Sequence, residues 1–340
     1  MKKEFNIINS SVFKKIVSVL IVISLFFVLN TNAANAQSAL DIGIYPPIIQ
    51  AQMTPPAQVK VPIYVENFSQ NSVSLNISLK PFKASPNENG QVDFSKNIQY
   101  PDPLITQRIT VFEGNKQIQN ITLSPKQTKK LSVEFKIPQD EPKGDYYFSL
   151  VFSSAGQNPG DSTSTQATGA VATNILLTVG PIGKTQGVLE NFSAPQLLLQ
   201  GPVPFTVRLK NTSDHYITPT GDIEISNIFG QNAGTVTLLP VNILADSVRR
   251  IPDKLQTGNN PDFNKIKAIV DNSKYPVAVW PQTFLIGLYK ADLTISLSSS
   301  GPVFKKSIYF FAFPAQYILG ILIIIGILIY IVMRVRKKMA

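Results

Sequence analysis

The chain has one histidine, His215, and no cysteine, so little of it can do covalent or metal chemistry. The usual zinc sites need several Cys and His ligands. A Ser-His-Asp relay would have to be built on that one histidine, in the polar stretch Asn211-Thr212-Ser213-Asp214-His215-Tyr216. His215 reads as a surface turn residue. Asp140 and Glu141 are adjacent, and neighbouring side chains on extended backbone point apart, so they read as a solvated turn rather than a calcium site or an acid-base pair. No glycine-rich phosphate loop leads from a strand into a helix. No cofactor and no enzymatic activity are therefore expected, and recognition chemistry remains. Within 83–103, Asn87, Asn89 and Asp93 offer amide and carboxylate groups as a ligand loop. Trp280, the one tryptophan, either offers its face to a sugar ring or packs an inserted hairpin onto the fold. Asn-x-Ser/Thr triplets begin at Asn67, Asn76, Asn120, Asn191 and Asn211. In a chain this rich in Asn and Ser such triplets arise by chance.

The elements that must position these residues are strands. Alternating or densely β-branched and aromatic runs fall at 40–45, 59–66, 73–80, 108–112, 129–137, 145–152 and 170–179, separated by turn signals such as Pro46-Pro47, Asn89-Gly90 and Gly114-Asn115. Seven short strands with one apolar face each require a second sheet to cover them, which is a sandwich. Pro62 inside the second run points to an edge or bulged position. The stretch 153–169 is too poor in apolar residues to order itself and is expected as a flexible loop joining the last two strands of the first domain.

A second domain repeats the plan with strands expected at 203–210, 221–226, 234–239, 247–251, 284–296 and 303–313, and an extra hairpin over 265–280 turning at Asp271-Asn272-Ser273-Lys274. No helix is expected outside the C-terminal segment. Two echoes suggest duplication: VPIYV followed by Asn67-Phe68-Ser69 matches VPFTV followed by Asn211-Thr212-Ser213, and Gly144-Asp145-Tyr146 matches Gly287-Leu288-Tyr289. Tyr146 and Tyr289 are candidates for the tyrosine corner of an immunoglobulin-like sandwich, where a hydroxyl bonds back to the backbone and fastens the two sheets.

Both ends address the chain to a membrane. Residues 1–36 read as a cleaved signal peptide, with a lysine-bearing start, an apolar run from 16 to 29 and Ala34-Asn35-Ala36 as the cleavage site. The uncharged run from Tyr317 to Met333 is long enough to span a bilayer, and Arg334, Arg336, Lys337 and Lys338 behind it place the tail 334–340 in the cytoplasm. These termini carry most of the formal charge of +10, and 37–316 is left nearly balanced, so nucleic acid is not an expected partner. The expected organisation is all-β: sandwiches over 37–183 and 184–314, a transmembrane helix over 315–333, and the ectodomain outside the cell.

The segments PFKASPNENGQVDF (81–94) and ITLSPKQTKKLSVEFKIPQDEPKGDYYF (121–148) resemble the first extracellular domain of WxL-interacting proteins of bacterial cell surfaces, a peptidoglycan-binding domain. The order of signal peptide, two sandwiches, membrane helix and short basic tail is similar to that family too. The strand after Gly144 departs from it, reading Asp-Tyr-Tyr-Phe where the family favours a glycine-rich start. The second domain, around GPVPFTVRLKNTSDHYITPTGDIEISNIFG (201–230), resembles tandem-sandwich bacterial envelope proteins more than the family's host-binding second domain. The resemblance implies a non-enzymatic, membrane-anchored envelope protein that binds a wall polymer such as peptidoglycan, or another envelope protein. A chaperone-like subunit pairing an edge strand with a client is the alternative, and a wall hydrolase a more distant one.

Overall fold

The computed structural model describes residues 41–94, 98, 100, 104–154, 169–257 and 262–339. The expected signal peptide and most of the loop 153–169 lie outside the described residues. The first sandwich contains β1 (Ile42–Tyr45), β2 (Ile48–Met53), β3 (Ala57–Asn67), β4 (Val73–Pro81), β5 (Ile109–Glu113), β6 (Asn120–Leu123), β7 (Thr128–Ile137), β8 (Gly144–Ser154) and β9 (Ala170–Val179). One sheet has the order β1-β3-β7-β5, with Lys116–Gln117 at its far edge, and the other has the order β2-β9-β8-β4-β6. Between them lie Ile63, Val65, Leu131, Val133 and Phe135 from the first sheet and Leu75, Tyr146, Phe148, Phe152, Ile175 and Leu177 from the second. The period of two in the sequence is what sends these residues inward. β8 and β9 pair antiparallel from Gly144–Val179 to Ser153–Ala170. At Pro62, β3 pairs with Ser132 of β7 on one side, while β1 covers β3 only from Tyr64 to Asn67. The missing amide therefore sits at a local edge.

The second sandwich contains β10 (Gly187–Ser193), β11 (Leu197–Leu198), β12 (Val203–Asn211), β13 (Thr220–Asn227), β14 (Asn232–Thr237), β15 (Val248–Arg250), β16 (Ala278–Trp280), β17 (Gly287–Ser296) and β18 (Val303–Ala312). Its sheets are β10-β12-β15, with β16 also on β12, and β11-β18-β17-β13-β14. In both sandwiches the first strand is split between sheets, and its second half runs parallel to the last strand: β2 on β9 and β11 on β18. The duplication extends to side chains. Buried Asn67 donates through Nδ2 to the carbonyls of Asn71 (2.7 Å) and Ser124 (3.0 Å) and accepts from the Ser69 amide (3.0 Å). Buried Asn211 donates to the carbonyls of His215 (2.8 Å) and Leu244 (3.0 Å) and accepts from the Ser213 amide (2.8 Å). Each ties a strand end to two loops, and neither side chain is on the surface.

Two elements differ from expectation. The segment read as a hairpin holds α1 (Phe263–Asn272), whose Phe263, Ile266, Ile269 and Val270 follow a helical spacing and pack on Leu255, Val277 and Val279. Only the second limb of the expected hairpin is extended, as β16. The strands β2, β6, β10 and β11 were not expected, being short or interrupted by polar residues that face solvent.

The helix α2 (Ala315–Met339) follows β18 after Phe313-Pro314. It is long and apolar enough to cross a membrane, and none of its described side chains is buried by the rest of the chain. Along the outer row of β18 the residues pass from Val303, Lys305 and Ser307 to Tyr309 and Phe311, so the sheet face becomes aromatic toward the helix.

Candidate functional site

The 145–152 run is apolar almost throughout, and every residue from Tyr146 to Phe152 is buried. A strand of an exposed sandwich face would alternate, so continuous burial requires a cover on the outer face. The second sandwich supplies it. Tyr147, Phe82 and Leu176 pack with Tyr216 and Leu244 across the junction, and the Phe82 and Tyr147 rings stack at 6.0 Å. Beneath them Asp145 accepts from Thr178 Oγ1 and the Tyr147 hydroxyl within the first sandwich, and from the Tyr216 amide of the second, each at 2.7 Å. Burial pushes the Asp145 carboxyl above its usual range in spite of these bonds. Burial, with the Asp145 charge adding to it, also pushes the Tyr147 phenol well up, so Tyr147 is a neutral donor to Asp145 that accepts from the Ala245 amide (3.1 Å).

The expected ligand loop folds over the same junction. Lys83–Ala84 pairs with Val92–Asp93, and the turn between them points at the second sandwich. At its tip, Glu88 adopts a left-handed backbone (φ 56°). Its carboxylate accepts from Arg208 Nη2 (2.6 Å) and Nε (2.9 Å) and from Arg250 Nε (3.1 Å), while its carbonyl accepts from the Arg250 amide (2.9 Å). The Arg208 hydrogen bonds, opposed by partial burial, hold Glu88 below the ordinary carboxylate range. Asn87 is exposed. Asn89 is half-buried and its Oδ1 accepts from the Gln91 amide (3.0 Å), shaping the turn, and Asp93 lies 3.7 Å from Lys83. Trp280 is not with them: it is 5% exposed in the second core, edge-on to Tyr289 at 5.7 Å, and offers no face to a sugar. The volume of the indole is what places it there, beside Gly234, where a Cβ would come 2.4 Å from Nε1.

Under the loop the two sandwiches enclose a cavity of about 210 Å³. Ile48, Phe82 and Leu176 give it apolar walls, Ser85 and Asn174 give polar ones, and none of its lining side chains is acidic. Arg249 of β15 enters from the second sandwich. Its Nη1 donates to the Asn242 carbonyl (2.5 Å), and its buried Nε has no hydrogen-bond partner among the described residues. Burial pulls the guanidinium down from its ordinary range. The guanidinium lies against Gly90, where a Cβ would meet Nη2 at 2.1 Å, and the left-handed backbone there (φ 80°) favours glycine. A desolvated cation with spare donors, facing apolar walls and no carboxylate, is arranged to take an anionic group carried on an apolar or amide-bearing body.

The remaining residues serve the fold. The Tyr146 hydroxyl donates to the Pro142 carbonyl (2.8 Å) from full burial, whereas the Tyr289 hydroxyl accepts a long bond from the Ile286 amide (3.4 Å) and its ring stacks on Phe310. Glu141, expected in a solvated turn, is buried 3.6 Å from Arg108. His215, expected on the surface, is buried, with Nδ1 2.8 Å from Asp214 and Nε2 3.3 Å from the Thr185 hydroxyl. The order Thr-His-Asp imitates a relay, but none of the three lines the cavity.

Residues 50–154 match the family model described as WxL Interacting Protein, peptidoglycan binding domain. Among curated proteins none matches the chain. Similar solved structures include the E. coli chaperone DraB (9% identity, TM-score 0.35, covering 80% of this chain and 100% of that one). They also include the class 5 fimbriae chaperone CfaA (12%, 0.33, 80% and 99%) and the Salmonella enterica SafA pilin in complex with the SafB chaperone (10%, 0.34, 80% and 99%).

Proposed function

We propose that this chain, whose residues 50–154 carry the peptidoglycan-binding domain of the WxL Interacting Protein family, is a non-enzymatic cell-envelope protein that holds a wall polymer in the cavity between its two sandwiches. The observation that carries the reading is that the matched segment supplies one wall of that cavity, through Phe82, Ser85 and Gln91, opposite Arg249, whose buried Nε has no hydrogen-bond partner among the described residues. Peptidoglycan stems present carboxylates on a body of amides and methyl groups, which suits a cation between amide-bearing and apolar walls. Glu88, neutralised by Arg208 and Arg250, fixes the loop over the cavity without competing for Arg249.

The division of the ectodomain at 183/184, its placement outside the cell and the cytoplasmic basic tail complete the proposal. The division rests on Gly180-Pro181-Ile182-Gly183, which follows the end of β9, and the orientation on the run of α2 and the Arg and Lys residues behind it. The test is sedimentation of the full-length protein with purified peptidoglycan, in competition with soluble muropeptides whose stem carboxylates are free or amidated. Displacement by the free acids and not by the amides supports the assignment. Equal displacement by both removes the role given to Arg249.

A further inference from the structure

The end of the second sandwich from which α2 departs has an apolar rim that the fold does not need. The turn between β13 and β14 presents Ile228 (66% exposed) and Phe229 (84%), the latter the most exposed large apolar side chain among the described residues. The turn holds itself without them. Asn227 Oδ1 accepts from the amides of Phe229 and Gln231, each at 3.0 Å, and Gly230 closes the loop at φ 76°. Two apolar side chains are thus held rigidly in the open, where ordinary surface selection would place polar ones.

Their position is set by register. Asn227 lies opposite Tyr289 at the start of β17, and Gly287 lies opposite Ala312 at the end of β18, so the turn projects past the same sheet end as Phe313. Leu199, Phe284 and Ile286 are exposed beside it, and the Phe284 ring meets Tyr317 of α2 edge-on at 5.6 Å. Among the described residues of this sandwich, exposed large apolar side chains gather at this end and on the adjoining sheet face, with Val188 and Val303 the exceptions. The rim is continuous with the first turn of the membrane-length helix, and Pro314 leaves no flexible stalk between them.

We infer that this rim is a membrane-docking surface whose occupant is the headgroup and upper acyl region of the bilayer that α2 crosses, with Phe229 and Ile228 inserted as a second contact beside the helix. Aromatic and branched apolar side chains favour that interfacial layer, and two points of attachment fix the tilt of a body that one helix would leave free to swing. The cavity and its loop are thereby held at a constant height above the membrane. The inference rests on the reading of α2 as a membrane anchor.

The chain has no cysteine, so one can be introduced alone. Full-length Phe229→Cys and, as control, Val303→Cys, at the far end of the same sheet, are labelled with an environment-sensitive fluorophore. They are reconstituted into phosphatidylcholine–phosphatidylglycerol vesicles with and without headgroup-proximal spin-labelled lipid. The label at position 229 is expected to shift to the blue, to be quenched by the spin-labelled lipid and to resist aqueous iodide, and the label at 303 to do the reverse. Iodide access at 229 equal to that at 303, with no lipid quenching, overturns the docking surface while flotation of the protein with the vesicles still upholds the anchor. Protection at 229 that rises with protein density and not with lipid label assigns the rim to a second copy and equally overturns it. Failure to float removes the anchor and the inference with it.

Discussion

Replacing Arg249 by methionine is expected to make the second sandwich more stable while removing binding. Two opposed contributions fix the sign. The guanidinium is desolvated, has no acidic neighbour in the cavity and leaves Nε without a partner, a situation that costs several kcal/mol for an ion even after relaxation. Against this stands one charge-assisted hydrogen bond to the Asn242 carbonyl, a contribution of about 2 kcal/mol. Methionine has a similar length, so repacking costs less than about 1.5 kcal/mol. The net gain expected is about 1 kcal/mol, which moves a urea midpoint upward by roughly 0.5 M. Trp280 reports it directly, being the only tryptophan and buried in the second core. Its emission, followed through urea unfolding of the full-length chain in detergent, should show the higher midpoint for Arg249→Met. A midpoint lowered by roughly 0.5 M or more would refute the reasoning, because it would make Arg249 a structural cation satisfied by its surroundings.

Glu88→Gln should loosen the loop from the second sandwich by about 1–2 kcal/mol, through the loss of charge in three hydrogen bonds from Arg208 and Arg250. Since folding lowers the Glu88 pKa from 4.5, the clasp is fully present above that value and is lost as pH falls through the lower folded one. The difference between wild type and Glu88→Gln in calorimetric unfolding should therefore hold from neutral pH down to about 4.5 and close at lower pH; a gap that widens in acid would contradict the sign. Asn67→Ala and Asn211→Ala should each cost about 3 kcal/mol, for the cluster of hydrogen bonds lost at a buried site. Trp280 emission should follow Asn211→Ala far more than Asn67→Ala, and the aspartate variants should fare no better, since they lose the donors. Unchanged melting of Asn67→Ala would show that the carbonyls find other partners.

Much of the architecture was legible because burial imposes its period on strands. The alternation of Val61, Ile63 and Val65 against Leu131, Val133 and Phe135 announces two sheet faces, and α2 announces itself by the uncharged apolar run from Tyr317 to Met333. The helix α1 was hidden by its brevity and by a plausible turn at Asp271-Asn272-Ser273-Lys274, which competes with the spacing of Phe263, Ile266 and Val270. The cavity was less legible still, because it exists only where two sandwiches meet. The sequence pointed to the loop of Asn87, Asn89 and Asp93, yet its central residue is Glu88, whose partners lie 120 and 162 residues away. One signal was available: DYYFSLVF does not alternate, so β8 had to be covered on both faces, and the second domain was the nearest cover. Trp280 could not be placed from its neighbours in sequence, since an aromatic side chain beside a proline is as compatible with a core as with a platform. Arg249 carries no local mark at all. It sits beside Arg250 in the same short strand, and only the tertiary structure separates the arginine that meets Glu88 from the one that meets no carboxylate among the described residues.

Sedimentation of the full-length wild type and Arg249→Met with purified peptidoglycan tests whether a wall polymer is held between the sandwiches with Arg249 as its anion anchor. One or two charge-assisted hydrogen bonds to a stem carboxylate correspond to a loss of about 1.5–3 kcal/mol, or roughly tenfold to a hundredfold in affinity. The wild type is expected to sediment with the polymer, and the equally folded variant to bind at least tenfold more weakly. A wild type that stays in the supernatant, or a variant that sediments as the wild type does, would contradict it.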